Sequence, residues 1–591
     1  MVESPTLAPT LSAAFRLTVA AHPDGLAVRT LDDAVSLSWS SLARRVDALA
    51  AGLARRGVGR GDTVALLLSN RPEFHLADLA AVTLGAVPFS VYTTLPPEQM
   101  AFVIRDAGAR VAIVERALLD SLRAARRELP ELAHVVVVDG EAPAGTVALG
   151  EVETDGGAVS PAALEPDDLV TLIYTSGTTG PPKGVQLTHR NVMALARALA
   201  QVVPLEPGGR VVSWLPAAHV AERAAHHYLP VVFGLSVTTI ANPREIVAAL
   251  PQVRPSWFFA VPRIWEKMKA GLEARLGGLP PEQRERVQQA LGAALEKVRL
   301  EQAGRPVPAA VSAAVARADT ELFAGLRAML GLDQAVAINV GAAPTPRDVL
   351  EFFHAIGLPL SEIWGLSETT GGATTAPPGR IRIGTVGPPL PGVEIRLADD
   401  GEVLVRGDTV MAGYRNLPEK TQEVLSPDGW FATGDVGAID ADGYLRIVDR
   451  KKELIISSAG KNMSPANIES ALKGASPLVG QAVVIGDRRP YNTALLLLDP
   501  DYAPAWAAQH GLAGRSLAEL AREPELLDAM RAGVEAANGR LSRVEQIKRF
   551  HVVPGEWMPG GDELTPTMKL KRKPIAEKYA REIESLYAGG G

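Results

Sequence analysis

Apolar residues recur at helical and strand spacing in regular alternation along the first part of the chain. Leu42, Val46, Leu49 and Leu53 fall on one helical face. They predict a helix over 40–57, with Ser40 as N-cap and Gly57 as its stop. Short apolar runs then predict strands at 63–68, 86–91 and 110–114, separated by helices at 72–84 and 96–106. Strands that alternate with helices build a parallel sheet covered by helices. The rhythm returns after Leu169, with a strand over 169–174, a loop, a helix over 191–200 and a strand over 210–215. Two similar α/β layers in one large domain are expected.

The pattern then changes twice. Residues 267–332 are nearly all helix formers, broken at Pro280, Pro281, Pro306 and Pro308. From 393 to 447 the period becomes two, with turns at Asp399-Asp400-Gly401 and around Gly443, which predicts a small β-rich subdomain at about 385–448. After Arg450 an α+β tail is expected, with strands near 481–486, 493–498 and 547–553 and helices near 524–543. The fold class is α/β: a large N-terminal domain (1–448) of two α/β layers plus the β-rich subdomain, and a smaller α+β C-terminal domain (449–591).

Composition narrows the function classes. A chain of 591 residues exceeds one ordinary core. Net charge −7 and a pI near 5.9 argue against a nucleic-acid partner. The absence of cysteine excludes disulfides, thiolate metal sites and a cysteine nucleophile. Residues 1–10 do not read as a signal peptide, and the longest apolar stretch, near 228–240, falls short of the ~20 residues a membrane span needs. A cytoplasmic protein is expected, at most peripherally attached to a membrane.

The most informative segment is TLIYTSGTTGPPKGVQLTHRN, residues 171–191. After a buried strand it concentrates Gly177, Gly180 and Gly184, whose backbone N–H groups can converge on an anion. Thr175, Ser176, Thr178 and Thr179 add hydroxyl donors, and Lys183 adds a mobile positive charge. Neither strand nor helix is expected to follow directly. The P-loop is excluded, because Lys183 follows Pro181-Pro182 and precedes Gly184, leaving no hydroxyl to hold a metal. The loop resembles the signature of the adenylate-forming superfamily: acyl-CoA synthetases, firefly-type luciferases and peptide-synthetase adenylation domains.

That resemblance extends through the chain in the family's order and implies roles. In EIWGLSETTG, residues 362–371, Trp364 and Gly365 stand where relatives carry an aromatic-Gly pair. Trp364 would stack on adenine, Ser367 would bond the α-phosphate and Glu368 would hold Mg²⁺. Gly341 and Ala342, in VGAAP, would pass beneath the base. Asp435, in DGWFATGD, and Arg450 would bind the ribose. Lys569, near the C-terminus, would bridge the carboxylate and the α-phosphate during adenylation. His219 would lie near the acyl carboxylate, and Trp257, Phe258 and Phe259 would either line or support an acyl tunnel or simply pack the core. The C-terminal domain would be mobile, pivoting at Lys452, so that residues 457–465 form a pantetheine channel in the second half-reaction.

Residues 267–332 resemble the helical insertion of long-chain members. The implied activity is that of a long-chain fatty acid–CoA ligase using ATP, Mg²⁺ and coenzyme A. A fatty acyl-AMP ligase loading a carrier protein, and a non-catalytic acyl or nucleotide sensor on the same fold, are the alternatives. A fatty acid and coenzyme A are the expected partners; peripheral membrane contact and a homodimer stay open.

Overall fold

The alternating segments pair in parallel. In the computed structural model, which describes residues 4–154, 160–175, 181–456, 462–565 and 568–588, one sheet runs in the order Val87–Ser90, Thr63–Leu67, Val111–Val114, His134–Val137 and Val147–Ala148. All its neighbours are parallel. Its central strands are buried along their whole length, which is why their sequences are continuously apolar rather than alternating. Helices Trp39–Arg55, Pro72–Thr83 and Pro97–Ala107 cover it. The first of these is capped by Ser38, not Ser40: the Ser38 hydroxyl accepts from Ser41 N at 3.2 Å, and Trp39 is buried in the first turn.

A second sheet orders Arg210–Ser213, Ser236–Thr239, Leu26–Thr30 and Ser36–Ser38. A third orders Trp257–Ala260, Ala337–Val340, Ser361–Trp364 and Thr374–Thr375. In each, the first three strands are parallel and the last is antiparallel. Ser256 N donates to Arg210 O at 2.9 Å where the two sheets meet, joining them into one broad layer.

The segment after Thr175 corrects one expectation. Lys183–Thr188 is a strand, antiparallel to Leu169–Thr175, with Thr175 opposite Lys183. Val185 and Leu187 alternate into the core, so β-pairing resumes as soon as the prolines are passed. Gly413–Tyr414 pairs along its other edge.

The helical insertion is packed. Helices Pro262–Gly277, Pro281–Gln302 and Ala309–Ala318 follow the strand Trp257–Ala260. Arg299 and Arg347 both pair with Glu351, at 2.9 and 2.8 Å, and Val287, Ala294 and Val298 join the core around Phe323. Val393–Leu397, Glu402–Gly407, Phe431–Ile439 and Leu445–Arg450 form the antiparallel subdomain.

The tail pairs Val479–Ile485, Asn492–Leu498 and Ile547–Val552, and it has its own core beneath helices Pro465–Ala475 and Pro524–Asn538. The apolar stretch 228–240 is divided between helix Leu229–Phe233 and strand Ser236–Thr239. Among the described residues no helix is long and apolar enough to cross a membrane.

Candidate active site

Two neighbouring parallel strands, Ala337–Val340 and Ser361–Trp364, end side by side. Such carboxyl ends are where open α/β sheets place ligands. Gly341 follows the first; a Cβ there would meet Ile363 O at 2.7 Å, so its smallness first serves close packing of these strands. Ala342 takes a left-handed conformation, φ 71°. Gly365 follows the second, where a Cβ would come within 2.7 Å of the Gly371 backbone. Ser367 then opens the short helix Ser367–Thr369, which buries Glu368.

Trp364 reaches across to the β-rich subdomain. Its indole Nε1–H donates to Asp435 Oδ2 at 2.8 Å, a buried bond. Asp435 and Arg450 face each other on adjacent strands, and Arg450 Nε binds Asp435 Oδ1 at 2.7 Å. Burial raises the Asp435 carboxyl above its ordinary value, while Arg450, the Trp364 bond and the Lys569 charge oppose that rise. Asp435 Oδ2 thus takes one protein hydrogen bond and Oδ1 one ion pair. A carboxylate offers about four lone-pair positions, so acceptor capacity for hydroxyls remains.

Lys183 and Glu368 meet at an unforeseen residue. Tyr414 donates its hydroxyl to Glu368 Oε1 at 2.8 Å, and Lys183 Nζ sits 4.0 Å from the centre of the same ring. Burial lowers the Lys183 ammonium from its ordinary value, with Glu368 opposing. Gly184 also has a packing reason: a Cβ there would meet the Tyr174 ring at 3.0 Å. Thr175 ends its strand opposite Lys183. Ser176, Gly177, Thr178, Thr179 and Gly180 lie outside the described residues.

The tail delivers a second lysine. Thr565 Oγ1 accepts from Lys569 N at 3.0 Å, and Thr565 N donates to Lys569 O at 2.8 Å, holding the Lys569 backbone against Thr565. Although the residue is exposed as a whole, its ammonium is crowded. Desolvation, then Arg450, holds it below the ordinary lysine value, while Asp435 and Glu368 act in the opposite sense. His219 feels the same charge: burial and Lys569 together push its imidazole down to about 3. Its Nδ1 accepts from Ala221 N at 3.2 Å, so the neutral ring carries its proton on Nε2. The Trp214–His219 segment is pinned by the buried Glu222, which accepts from Leu215 N at 3.0 Å, Ser213 Oγ at 2.5 Å and Asn70 Nδ2 at 3.0 Å.

Lys452 lies between two anchored neighbours. Lys451 Nζ binds Asp400 and, at 2.9 Å, Glu402 of the β-rich subdomain. Glu453 binds Arg572 of the tail at 3.1 Å, and Arg572 also holds Glu469 at 2.6 Å. The Lys452 charge acts on Lys183.

Most of the residues singled out in the sequence therefore converge. Trp257, Phe258 and Phe259 do not: they are core, with Trp257 Nε1 bonded to Asn339 at 2.9 Å and Phe258 packed on Trp214 and Trp265. Sequence reasoning missed Tyr414. Its signal was a lone aromatic in MAGYRNLPEK, residues 411–420, flanked by turn formers.

Comparison with known proteins agrees with this geometry. The model of the AMP-binding enzyme family matches residues 15–415, and that of the AMP-binding enzyme C-terminal domain matches 452–590. The chain is 51% identical over 427 residues to fadD11 of Mycobacterium tuberculosis, named as a fatty-acid–CoA ligase, covering 72% of this chain and 75% of that one. It is 37% identical over 585 residues to the long-chain-fatty-acid–CoA ligase FadD15 of Mycobacterium bovis, covering 96% and 95%. Among solved structures, the anthranilate CoA ligase AuaEII in complex with anthranoyl-AMP superposes with TM-score 0.76 at 20% identity, covering 99% of this chain and 100% of that one. The chain belongs to the AMP-binding enzyme family.

Proposed function

We propose that this protein is an ATP-dependent long-chain fatty acid–CoA ligase. A fatty carboxylate attacks the α-phosphorus of ATP, the bond to the β-phosphate breaks, and acyl-AMP and pyrophosphate form. The thiol of coenzyme A then attacks the acyl carbonyl, and AMP leaves. The observation that carries the reading is that the charge of Lys569, from the tail, acts on Asp435, Glu368 and His219 of the large domain, where Trp364 and Asp435 are bonded at 2.8 Å. A cation brought from a separate domain to the mouth of a nucleotide crevice suits charge neutralisation during adenylyl transfer.

Trp364 is the adenine platform, and Asp435 with Arg450 is the ribose contact. The 175–184 loop with Lys183 grips the phosphates. Glu368 fits a magnesium ion carried in by the nucleotide: Tyr414 orients one oxygen, and among the described residues no group of three acidic, histidine or cysteine side chains forms a protein-only cage. Magnesium, when bound, supplies charge neutralisation on the phosphates. His219, neutral and fixed by its Nδ1 bond, can donate from Nε2 to an acyl carboxylate oxygen. Lys452 is the pivot between half-reactions.

The 37% identity to a long-chain ligase across nearly the whole chain supports the substrate class. A panel of carboxylic acids from two to twenty carbons, scored for AMP release with and without coenzyme A, tests the reading. Coenzyme-A-dependent AMP release that peaks at long chains supports it. AMP release indifferent to coenzyme A, or absent with every acid, overturns it.

A further inference from the structure

The helix Pro262–Gly277 breaks a local rule. Its first turn holds no acidic residue, and Arg263 sits in that turn, where the helix dipole disfavours cations, with Lys267 one turn further on. Glu266 answers Arg263 only weakly, at 3.4 Å. Closer partners come from the tail. Arg263 pairs with Asp499, and Lys267 Nζ reaches Asp501 Oδ2 at 2.5 Å. Asp499 is nearly buried and preset: its Oδ1 accepts from Asp501 N at 3.0 Å and Tyr502 N at 2.7 Å. Arg244, from the same large domain, also acts on Asp501. Two cations of one domain thus pair with two carboxylates of the other. A sequence that departs from its local preference without internal compensation does so most often at functional positions.

We propose that Arg263 and Lys267 form an ionic seat for the tail, docking Asp499 and Asp501 in the orientation that presents Lys569 to the nucleotide crevice. They are positioning residues for adenylation and take no part in thioester formation. The inference rests on the ligase reading above. Exposed pairs are individually weak, as a contact released in every catalytic cycle must be. Asp499, held at a helix start and shielded from water, gives the seat its register.

Charge exchange tests it in the full chain. Lys267→Glu and Asp501→Lys each lower fatty-acid-dependent ATP–pyrophosphate exchange by about 5- to 20-fold, the scale of a few weak ion pairs turned repulsive. Thioester formation from supplied acyl-AMP stays within about twofold, and the double exchange restores adenylation to within about threefold. Equal loss in both half-reactions, no loss, or failure of the double exchange to rescue overturns the seat.

A second readout needs no activity. The chain has no cysteine, and a Cβ at Gly560 of the tail would stand 3.6 Å from Thr94 Cβ of the large domain, within disulfide range. In a Thr94→Cys, Gly560→Cys background, Lys267→Glu slows disulfide formation about fivefold or more, and adding Asp501→Lys restores it. An unchanged rate overturns the seat. A wild-type chain without exchange on any fatty acid instead removes the ligase reading, and the cross-linking rates still decide the seat. The strained φ of 79° at Gly560 is common to all arms.

Discussion

Trp364 and Asp435 are joined by a buried hydrogen bond of 2.8 Å, so the ring offered to a base and the carboxylate offered to a sugar form one unit. Trp364→Phe keeps an aromatic face but removes the donor. A hydrogen bond to a charged acceptor contributes about 1.5–3 kcal/mol, so the KM for ATP rises about tenfold or more while kcat changes little. Steady-state AMP formation checks this; an unchanged KM would show that the bond does not preset the nucleotide contact.

Tyr414→Phe separates two functions of one side chain. The ring beneath Lys183 stays, and the hydroxyl on Glu368 Oε1 goes. The Mg²⁺ concentration for half-maximal AMP formation rises about tenfold, the usual scale for losing an orienting bond to a metal ligand. The melting temperature stays near wild type. Titration of magnesium at saturating ATP reads the first quantity and thermal denaturation the second.

Lys569→Ala divides the two half-reactions. Acyl-AMP formation falls by at least about 100-fold, the order expected when a charge aimed at the reacting phosphate is lost. Thioester formation from supplied acyl-AMP persists. Parallel loss of both would place Lys569 in general folding rather than in adenylation.

Glu362 gives the chain a pH signature. Burial raises its carboxyl from 4.5 to about 7, against backbone donors at Gly384 and Thr345. A raised folded value means that its stabilising effect is full below 4.5 and is lost as pH climbs through 7. Glu362→Gln, uncharged at every pH, is therefore more stable than wild type at pH 8, by up to about 3 kcal/mol, and close to it at pH 4.5. Urea unfolding of both proteins at the two pH values reads the difference.

Much of this arrangement was legible in the sequence, because the aromatic-Gly pair and the Asp435 and Arg450 positions are local patterns. What was not legible depends on long-range pairing. Tyr414 finds Glu368 across 46 residues, and Lys267 finds Asp501 across 234. Gly184 reads as part of an anion cradle, and its close approach to the Tyr174 ring on the neighbouring strand was not legible. Ser38 and Ser40 are equivalent as capping residues by type, and only the burial of Trp39 selects between them. The aromatic run at 257–259 has the composition of a tunnel wall and the packing of an interior strand.

Lys451 is fastened to one body and Glu453 to the other, so a single pair of backbone torsions separates them. Turning about that one residue leaves every ladder and each apolar interior whole. For the proposed pivot, the free-energy gap between orientations is then set by surface contacts and by the buried bond from Ser464 to Asp449, and the tail changes direction without the molecule beginning to unfold.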